Sequence, residues 1–158
     1  MTQGTQPVFT NVIQIGIVVK NAESVVMRYK ELLGMNGWQF NQVDTAKGIG
    51  NGFKHLTKSI QAKALIAWIQ LGNVELELIE PQDENSVYAQ FLREKGAGIH
   101  HVMFTPANYQ GCVERMKSCG IATLAEGKLQ KTRFQLFDTQ TDLGLICEIA
   151  EGGALIPD

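Results

Sequence analysis

The sequence predicts an α+β fold made of two paired βαβββ modules. Two observations lead to this prediction. The order strand, helix and three strands can be read twice along the chain, over residues 12–96 and again over residues 98–151. Matching residues of the two copies are also separated by a nearly constant distance in sequence. The 158 residues suit one domain of ordinary size, so we expect a single domain over residues 1–158 that contains both modules.

The offset between the two copies is set by the residues that begin and end their first helices. Asn108 lies 87 positions after Asn21 (108 − 21), and Gly120 lies 86 positions after Gly34 (120 − 34). Asparagine is a favourable N-cap, and glycine commonly ends a helix. A fixed offset between such residues indicates an internal duplication.

In the first module, the β-branched run "VIQIGIVV" at residues 12–19 predicts a buried strand. A helix follows between Asn21 and Gly34, and "NGWQFNQV" predicts a short strand. The segment 44–59 contains three glycines and no clear periodicity, so we expect a mobile loop, of which residues 44–55 act as a lid. The stretch "QAKALIAWIQLGNVELELIEP" predicts two strands joined by a turn at Gly72, and "SVYAQFLREKG" predicts a helix.

The second module repeats this order. The stretch "GIHHVMFTPAN" predicts a strand, and "NYQGCVERMKSCG" predicts a helix that ends at Gly120. Three further strands are predicted in "IATLAEG", "KTRFQLFD" and "GLICEIAEG".

Composition narrows the function classes. Hydrophobic residues make up 44% of the chain and charged residues 19%, which is typical of a globular protein. The net charge of −2 favours neither nucleic acid nor an anionic membrane surface as a partner. We expect no membrane span, no secretory signal in "MTQGTQPVFTN", and a cytoplasmic protein whose three cysteines are free.

The duplication also pairs the polar residues of the predicted strands. The residue 87 positions after Gln14 is His101, so the offset between the modules pairs these two residues. Each module therefore opens with a strand that carries one side chain able to bind a metal ion. Each module closes with a strand that carries a carboxylate within an apolar run, Glu77 or Glu148. Side chains two positions apart share a strand face, and Gly16 leaves space beside Gln14.

These four side chains together suit a divalent cation with open positions for water or substrate. Two buried carboxylates without a cation would repel each other and would be strongly desolvated. Each residue alone has a structural alternative, because a strand glutamine or histidine is often only hydrogen-bonded. Glu75 shares a strand face with Glu77 and is its main rival as a ligand, and His100 is the better candidate for a purely structural histidine.

The chain resembles the vicinal oxygen chelate superfamily, which includes glyoxalase I, methylmalonyl-CoA epimerase, extradiol dioxygenases and bleomycin-resistance proteins. The segments that carry the resemblance are "IGIVVKNAESVVMRYKELLGM", "VELELIEP", "GAGIHHVMF" and "FDTQTDLGLICEI". The pairing of "ELIEP" with "GIHH" is similar to the methylmalonyl-CoA epimerase branch. The resemblance implies a cupped mixed sheet around one metal ion.

The family's metal positions fall on Gln14, Glu77, His101 and Glu148. Epimerases commonly have histidine at the first position, and they often have a histidine-proline-lysine stretch where this chain reads "FDTQTD". The glutamine weakens the dioxygenase interpretation, because that chemistry resembles a site of two histidines and one carboxylate. The different stretch argues against CoA as part of the substrate. The chain also shows no match to the glutathione-binding residues of glyoxalase I.

The resemblance implies a metal-dependent epimerase, isomerase or lyase that moves a proton next to a carbonyl. The expected cofactor is one Co, Ni, Mn, Zn or Mg ion, and the expected substrate is a small oxo-acid or an acyl thioester such as methylmalonyl-CoA. A lactoylglutathione lyase of the glyoxalase I kind is one alternative. A non-catalytic protein that binds a small molecule or an antibiotic is another. A homodimer is also implied.

Glu148 is the first candidate for the proton-transferring group and Glu77 the second. Asp44 is a further candidate acid or base, and Arg133 can reach a substrate carboxylate if its strand faces the cup. The candidate apolar walls are the aromatic residues Trp38, Phe40, Phe53 and Trp68, which are also typical of core packing.

Overall fold

A computed structural model describes residues 7–152, and within this range the chain forms one curled sheet of ten strands with four helices. The strands are β1 (Phe9–Val18), β2 (Gln39–Asp44), β3 (Asn51–His55), β4 (Lys58–Ser59), β5 (Lys63–Leu71), β6 (Val74–Pro81), β7 (Gly98–Pro106), β8 (Thr123–Leu129), β9 (Thr132–Phe137) and β10 (Ile146–Glu151). The helices are α1 (Ala22–Leu33), α2 (Val87–Lys95), α3 (Tyr109–Ser118) and α4 (Gln140–Leu143). The mixed α+β fold confirms the fold-class prediction.

The strand order reflects the duplication. The sheet runs β2-β5-β6-β1-β7-β10-β9-β8-β3-β4. The first four strands belong to the first module and the next four to the second, and the same connection order is mirrored about the junction. At that junction β1 pairs antiparallel with β7. The opening strands of the two modules, which carry Gln14 and His101, are therefore neighbours at the centre of the sheet.

Helices α1 and α3 begin and pack in the same way. The side chains of Asn21 and Asn108 each accept a backbone N–H three residues on, at 2.8 and 2.7 Å. Val26 of α1 packs with a cluster that includes Leu78 of β6, and Cys112 of α3 packs with a cluster that includes Ile149 of β10. The two helices thus bury one face of the sheet, and the other face is left for the cup.

The prediction of a mobile loop over 44–59 is wrong. This segment forms a single 3₁₀ turn at Thr45–Lys47 and then the hairpin β3–β4, which crosses to the far edge of the sheet and pairs with β8. Phe53 of β3 packs against Phe134 of β9 with ring centroids 5.4 Å apart. The hairpin is held by contacts with the second module, and such non-local pairing leaves no periodic signal in its own sequence.

Several smaller features complete the fold. The short helix α4 lies in the stretch between the last two strands, where no helix was predicted. Cys112, Cys119 and Cys147 are free thiols, as expected. Among the described residues, the helices are too short and too polar to cross a membrane.

Candidate functional site

The candidate residues lie in two adjacent rows that cross the middle of the sheet. In one row, Gly16 of β1 lies opposite Glu77 of β6 and opposite His101 of β7. In the next row, Gln14 lies opposite Glu75 of β6 and Met103 of β7, and Glu148 of β10 extends this row opposite Met103. Residues two apart on a strand share a face, so the two rows present one set of polar groups to the cup.

The strand registers distinguish Glu77 from its rival Glu75. Glu77 lies opposite Gly16, and Glu148 lies opposite Met103, which is 87 positions after Gly16 (103 − 16). The two glutamates therefore occupy equivalent places in the two modules. Glu75 lies opposite Gln14, and the residue opposite His101 on β10 is the apolar Ile146.

Gly16 is required by the position of the His101 ring. A Cβ atom built at residue 16 would overlap the imidazole atoms Cε1, Nε2 and Nδ1. The imidazole thus lies flat over the backbone of β1, in space that any side chain would occupy. This close approach explains why a glycine interrupts an otherwise β-branched strand.

Three oxygen atoms converge on one nitrogen atom of His101. Its Nε2 lies 2.7 Å from Oε2 of Glu148, 3.3 Å from Oε1 of Gln14 and 3.6 Å from Oε2 of Glu77. The imidazole, the amide and Glu148 are at most 2% exposed. An Nε2–H group can serve one acceptor well, and its direction suits the Gln14 oxygen, so Oε2 of Glu148 is buried without a hydrogen bond.

His100 fixes the orientation of the His101 ring from the other side. The two Nδ1 atoms lie 3.1 Å apart. Burial, together with the neighbouring His101, lowers the pKa of His100 to about 3, so His100 is neutral and its Nδ1 can accept a hydrogen bond from Nδ1–H of His101. The rings of Tyr88 and Phe91 hold His100 in place, with centroids 5.1 and 4.9 Å away. This arrangement leaves Nε2 of His101 directed at the three oxygens.

Glu75 orients the amide of Gln14. Its Oε1 accepts a hydrogen bond from Nε2 of Gln14 at 2.7 Å, so the amide oxygen points toward His101. Burial raises the pKa of Glu75 to about 7. The sequence placed Glu75 as a competing ligand, and the structure places it behind Gln14 instead.

Burial and neighbouring charges shift the pKa values of Glu77 and His101 in this cluster. Burial raises the pKa of Glu77, because its carboxylate has little access to water. Burial alone would lower the pKa of His101, but the nearby carboxylates of Glu148 and Glu77 together raise it to about 10. The protonated imidazole of His101 is therefore a positive charge placed between two carboxylates.

The fit of this cluster to a metal ion depends on its donors. Within residues 7–152, no group of three or more His, Cys, Asp and Glu side chains is arranged around a space for a metal ion. The donor chemistry nevertheless fits, because one amide oxygen, one imidazole nitrogen and two carboxylates are ligands of Mg, Mn, Co, Ni or Zn. Oε2 of Glu148, which is buried without a hydrogen bond, is the atom that a bound cation would satisfy.

A cavity opens onto this cluster, and Glu77 and Glu148 lie in its wall. Tyr88 also lines the cavity, and its hydroxyl makes no hydrogen bond within the described part of the chain. Burial, with the nearby carboxylates of Glu148 and Glu77, raises the pKa of Tyr88 well above its usual value. Tyr88 is thus a neutral donor that faces the cavity. The sequence could not identify Tyr88 as a cavity residue, because it is marked by no motif and only the packing of α2 brings it to the cavity.

The structure places the remaining candidates elsewhere. Arg133 pairs with Glu151 at 2.6 Å and stacks over the ring of Tyr109, so it does not line the cavity. Asp44 is buried but does not line the cavity either. Among the four aromatic candidates only Phe53 lines it.

The other three aromatic residues have different surroundings. Trp38 packs against Tyr29 with ring centroids 5.1 Å apart, in the core under α1. Phe40 is 43% exposed. Trp68 lies on β5 opposite Glu77 and is half-buried. Core packing, the structural alternative, thus describes Trp38.

Comparison with known protein families gives one match that covers most of the chain. Residues 13–135 match the model of the glyoxalase/bleomycin resistance protein/dioxygenase superfamily. Among curated proteins, an uncharacterized protein of Bacillus subtilis (strain 168), YqjC, is 41% identical over 56 residues. That match covers 35% of this chain and only 40% of the length of the relative.

Solved structures with a similar fold include methylmalonyl-CoA epimerases. The enzyme from Streptomyces coelicolor, in complex with 2-nitronate-propionyl-CoA, is 20% identical with a TM-score of 0.67, and the match covers 92% of this chain and 99% of that chain. The enzyme from Mycobacterium tuberculosis is 18% identical with a TM-score of 0.68, over 94% of this chain and 92% of that chain. At these identities the similarity is one of fold.

Proposed function

This chain belongs to the glyoxalase/bleomycin resistance protein/dioxygenase superfamily, and from that membership we propose that it is a divalent-metal-dependent enzyme. The proposed reaction moves a proton at the carbon next to a carbonyl, as in an epimerase, an isomerase or a lyase. The observation that supports it is the convergence of three buried oxygens on Nε2 of His101, with Oε2 of Glu148 left without a hydrogen bond.

The four side chains that would hold the metal are Gln14, Glu77, His101 and Glu148. A divalent ion at this place supplies Lewis acidity, which stabilises negative charge on a substrate oxygen. Behind these side chains, Glu75 keeps the Gln14 oxygen pointing inward and His100 keeps Nε2 of His101 free. The neutral amide of Gln14 would add no negative charge to this set of side chains, so a metal ion held here would keep more of its Lewis acidity.

The proposed proton acceptor is Glu148, with Glu77 as the second candidate. Both carboxylates line the cavity, so both can reach a substrate in it. Oε2 of Glu148 is buried without a hydrogen bond, so no hydrogen bond within the described residues has to break before this carboxylate takes a proton from carbon.

Tyr88 has a complementary role in this proposal. Its neutral hydroxyl faces the same cavity and can donate a hydrogen bond to a substrate oxygen as charge develops there. Such a donor stabilises an enolate without taking part in the proton transfer.

The proposed substrate is an acyl thioester or a small oxo-acid. Support for a thioester comes from the similar fold of methylmalonyl-CoA epimerases, one of which is in complex with methylmalonyl-CoA. The reaction is tested by incubating the metal-loaded protein in deuterated water with a panel of CoA thioesters, 2-oxo compounds and the glutathione adduct of methylglyoxal.

We expect metal-dependent deuterium incorporation next to the carbonyl of at least one CoA thioester or oxo compound. Chelation should abolish it. Turnover of the glutathione adduct alone would favour a lactoylglutathione lyase. No exchange in any compound would contradict the proposed reaction and favour a binding protein.

A further inference from the structure

The wall of the cavity next to the cluster is mainly hydrocarbon. Aliphatic and aromatic side chains from both modules and from the hairpin β3–β4 form it, namely Val43, Phe53, Ile66, Ile79, Leu129 and Phe134. Such a surface stabilises a bound hydrocarbon group by removing it from water, at roughly 25 cal/mol per Å² of apolar surface.

The charged groups of this cavity all have the same sign. Glu77, Glu148 and Asp83 line it, and no Lys or Arg of residues 7–152 does so. Asp83 is held in place by the backbone N–H groups of Lys63, Asn85 and Ser86, at 2.7 to 3.0 Å.

An anionic group in this cavity would therefore meet no Lys or Arg among the described residues that line it. The charges of Glu77 and Glu148 would together balance those of one divalent ion, so the cluster would offer no net positive charge to a further anion. A further carboxylate from a substrate would enter beside Asp83 and would be desolvated by the apolar wall. A carbonyl or hydroxyl group carries no such penalty and can accept or donate a hydrogen bond with Tyr88.

From this wall we infer that the acyl group that reacts in the cavity is uncharged and carries a hydrocarbon substituent. Dicarboxylic acyl groups such as methylmalonyl are excluded by this inference. It rests on the proposed function in one respect, because it takes a thioester as the substrate class. It refines that function by dividing acyl thioesters according to the charge of the group beside the reacting carbon.

The test compares the equilibrium binding of two matched thioesters to the full-length, metal-loaded protein. Racemic 2-methylacetoacetyl-CoA and racemic methylmalonyl-CoA differ only in an acetyl group in place of a carboxylate, so the CoA part cancels. We expect the uncharged thioester to bind at least about tenfold more tightly by isothermal titration calorimetry. Equal or tighter binding of methylmalonyl-CoA, or no binding of the uncharged thioester, would overturn the inference.

A variant with an added cation tests whether charge is the cause. Asn41 lies on β2 in the cavity wall and is half-buried. Asn41→Lys should reduce severalfold the ratio of the affinity for 2-methylacetoacetyl-CoA to that for methylmalonyl-CoA. Gln39 is exposed on the same strand and lies outside the cavity wall, so Gln39→Lys should leave this ratio unchanged. A ratio that Asn41→Lys leaves unchanged would contradict the inference.

Failure of the proposed function is distinguishable from failure of this inference. Binding is measured without turnover, and racemic thioesters keep their composition during epimerisation. A protein that binds the uncharged thioester selectively but exchanges no proton would refute the reaction and retain the cavity preference. Tight binding of methylmalonyl-CoA together with metal-dependent proton exchange on it would support the proposed reaction and refute the preference for an uncharged acyl group.

Discussion

Gly16 has no side chain because the imidazole of His101 occupies that space. Gly16→Ala would push the ring away from the oxygens that surround it, while the strand itself can accept alanine. We expect metal affinity to fall at least tenfold, measured by calorimetric titration, with an unchanged circular dichroism spectrum. Gly98→Ala on β7 is the matched control, because a Cβ there meets nothing within 4 Å. Unchanged affinity in Gly16→Ala would mean that His101 is not a ligand.

Glu148 carries the buried oxygen that lacks a hydrogen bond. In Glu148→Gln the amide keeps an oxygen that can bind a cation but loses the basicity needed to accept a proton from carbon. We expect solvent-deuterium exchange to be abolished, with a rate loss of at least about 10², while part of the metal is retained by elemental analysis. Exchange at the wild-type rate would remove Glu148 from the mechanism and leave Glu77 as the candidate base.

The hairpin β3–β4 lies in the first module's sequence, but it pairs with β8 of the second module and packs in a core shared by both modules. Phe53 is 9% exposed and packs on Phe134. Phe53→Ala should lower the free energy of unfolding by about 3 kcal/mol, because it leaves a cavity among buried side chains. Lys58→Ala on exposed β4 should change it by less than about 0.5 kcal/mol. The free energy of unfolding is measured by urea denaturation. If Phe53→Ala lowers it as little as Lys58→Ala does, the hairpin is not packed as described.

The regular elements could be predicted from the sequence because their signals are local. The N-cap of α1 at Asn21 and the left-handed glycine at Gly34 lie where the pattern placed them. The turn between β5 and β6 is also local, with Gly72 at a positive φ of 58°. The hairpin β3–β4 was missed because its partner, β8, lies about 70 residues away in sequence and supplies most of its contacts.

At the scale of the whole molecule, the protonation of the cluster links metal binding to pH. In the protein without metal, Glu148 and Glu77 raise the pKa of His101 to about 10 against the effect of burial, so the imidazole carries a proton at pH 7. A metal ion must displace that proton from Nε2. Affinity should therefore rise with pH, by about tenfold per unit between the pKa of Glu75 at about 7 and that of His101 at about 10.

The released proton is measurable by calorimetric titration in two buffers of different ionisation enthalpy. We expect about one proton per metal ion at pH 7. Zero release would contradict the protonated state of His101, because a neutral imidazole has no proton to lose from the binding nitrogen.

The offset of 87 residues between the proposed modules led from the sequence to the candidate site residues. Equating Gln14 with His101 selected two residues that lie on neighbouring central strands with side chains 3.3 Å apart. The supporting residues could not be identified in this way. The contact of Glu75 with Gln14 depends on strand register, and the place of Tyr88 in the cavity depends on how α2 packs between the modules.

The central claim is that Gln14, Glu77, His101 and Glu148 together hold one divalent metal ion. It is tested most directly by elemental analysis of the purified protein after metal loading and dialysis, with Gln14→Ala treated in parallel. The account predicts one ion per wild-type chain and a severalfold lower content in Gln14→Ala. A wild-type protein that retains no metal, or a Gln14→Ala variant with unchanged content, would contradict it.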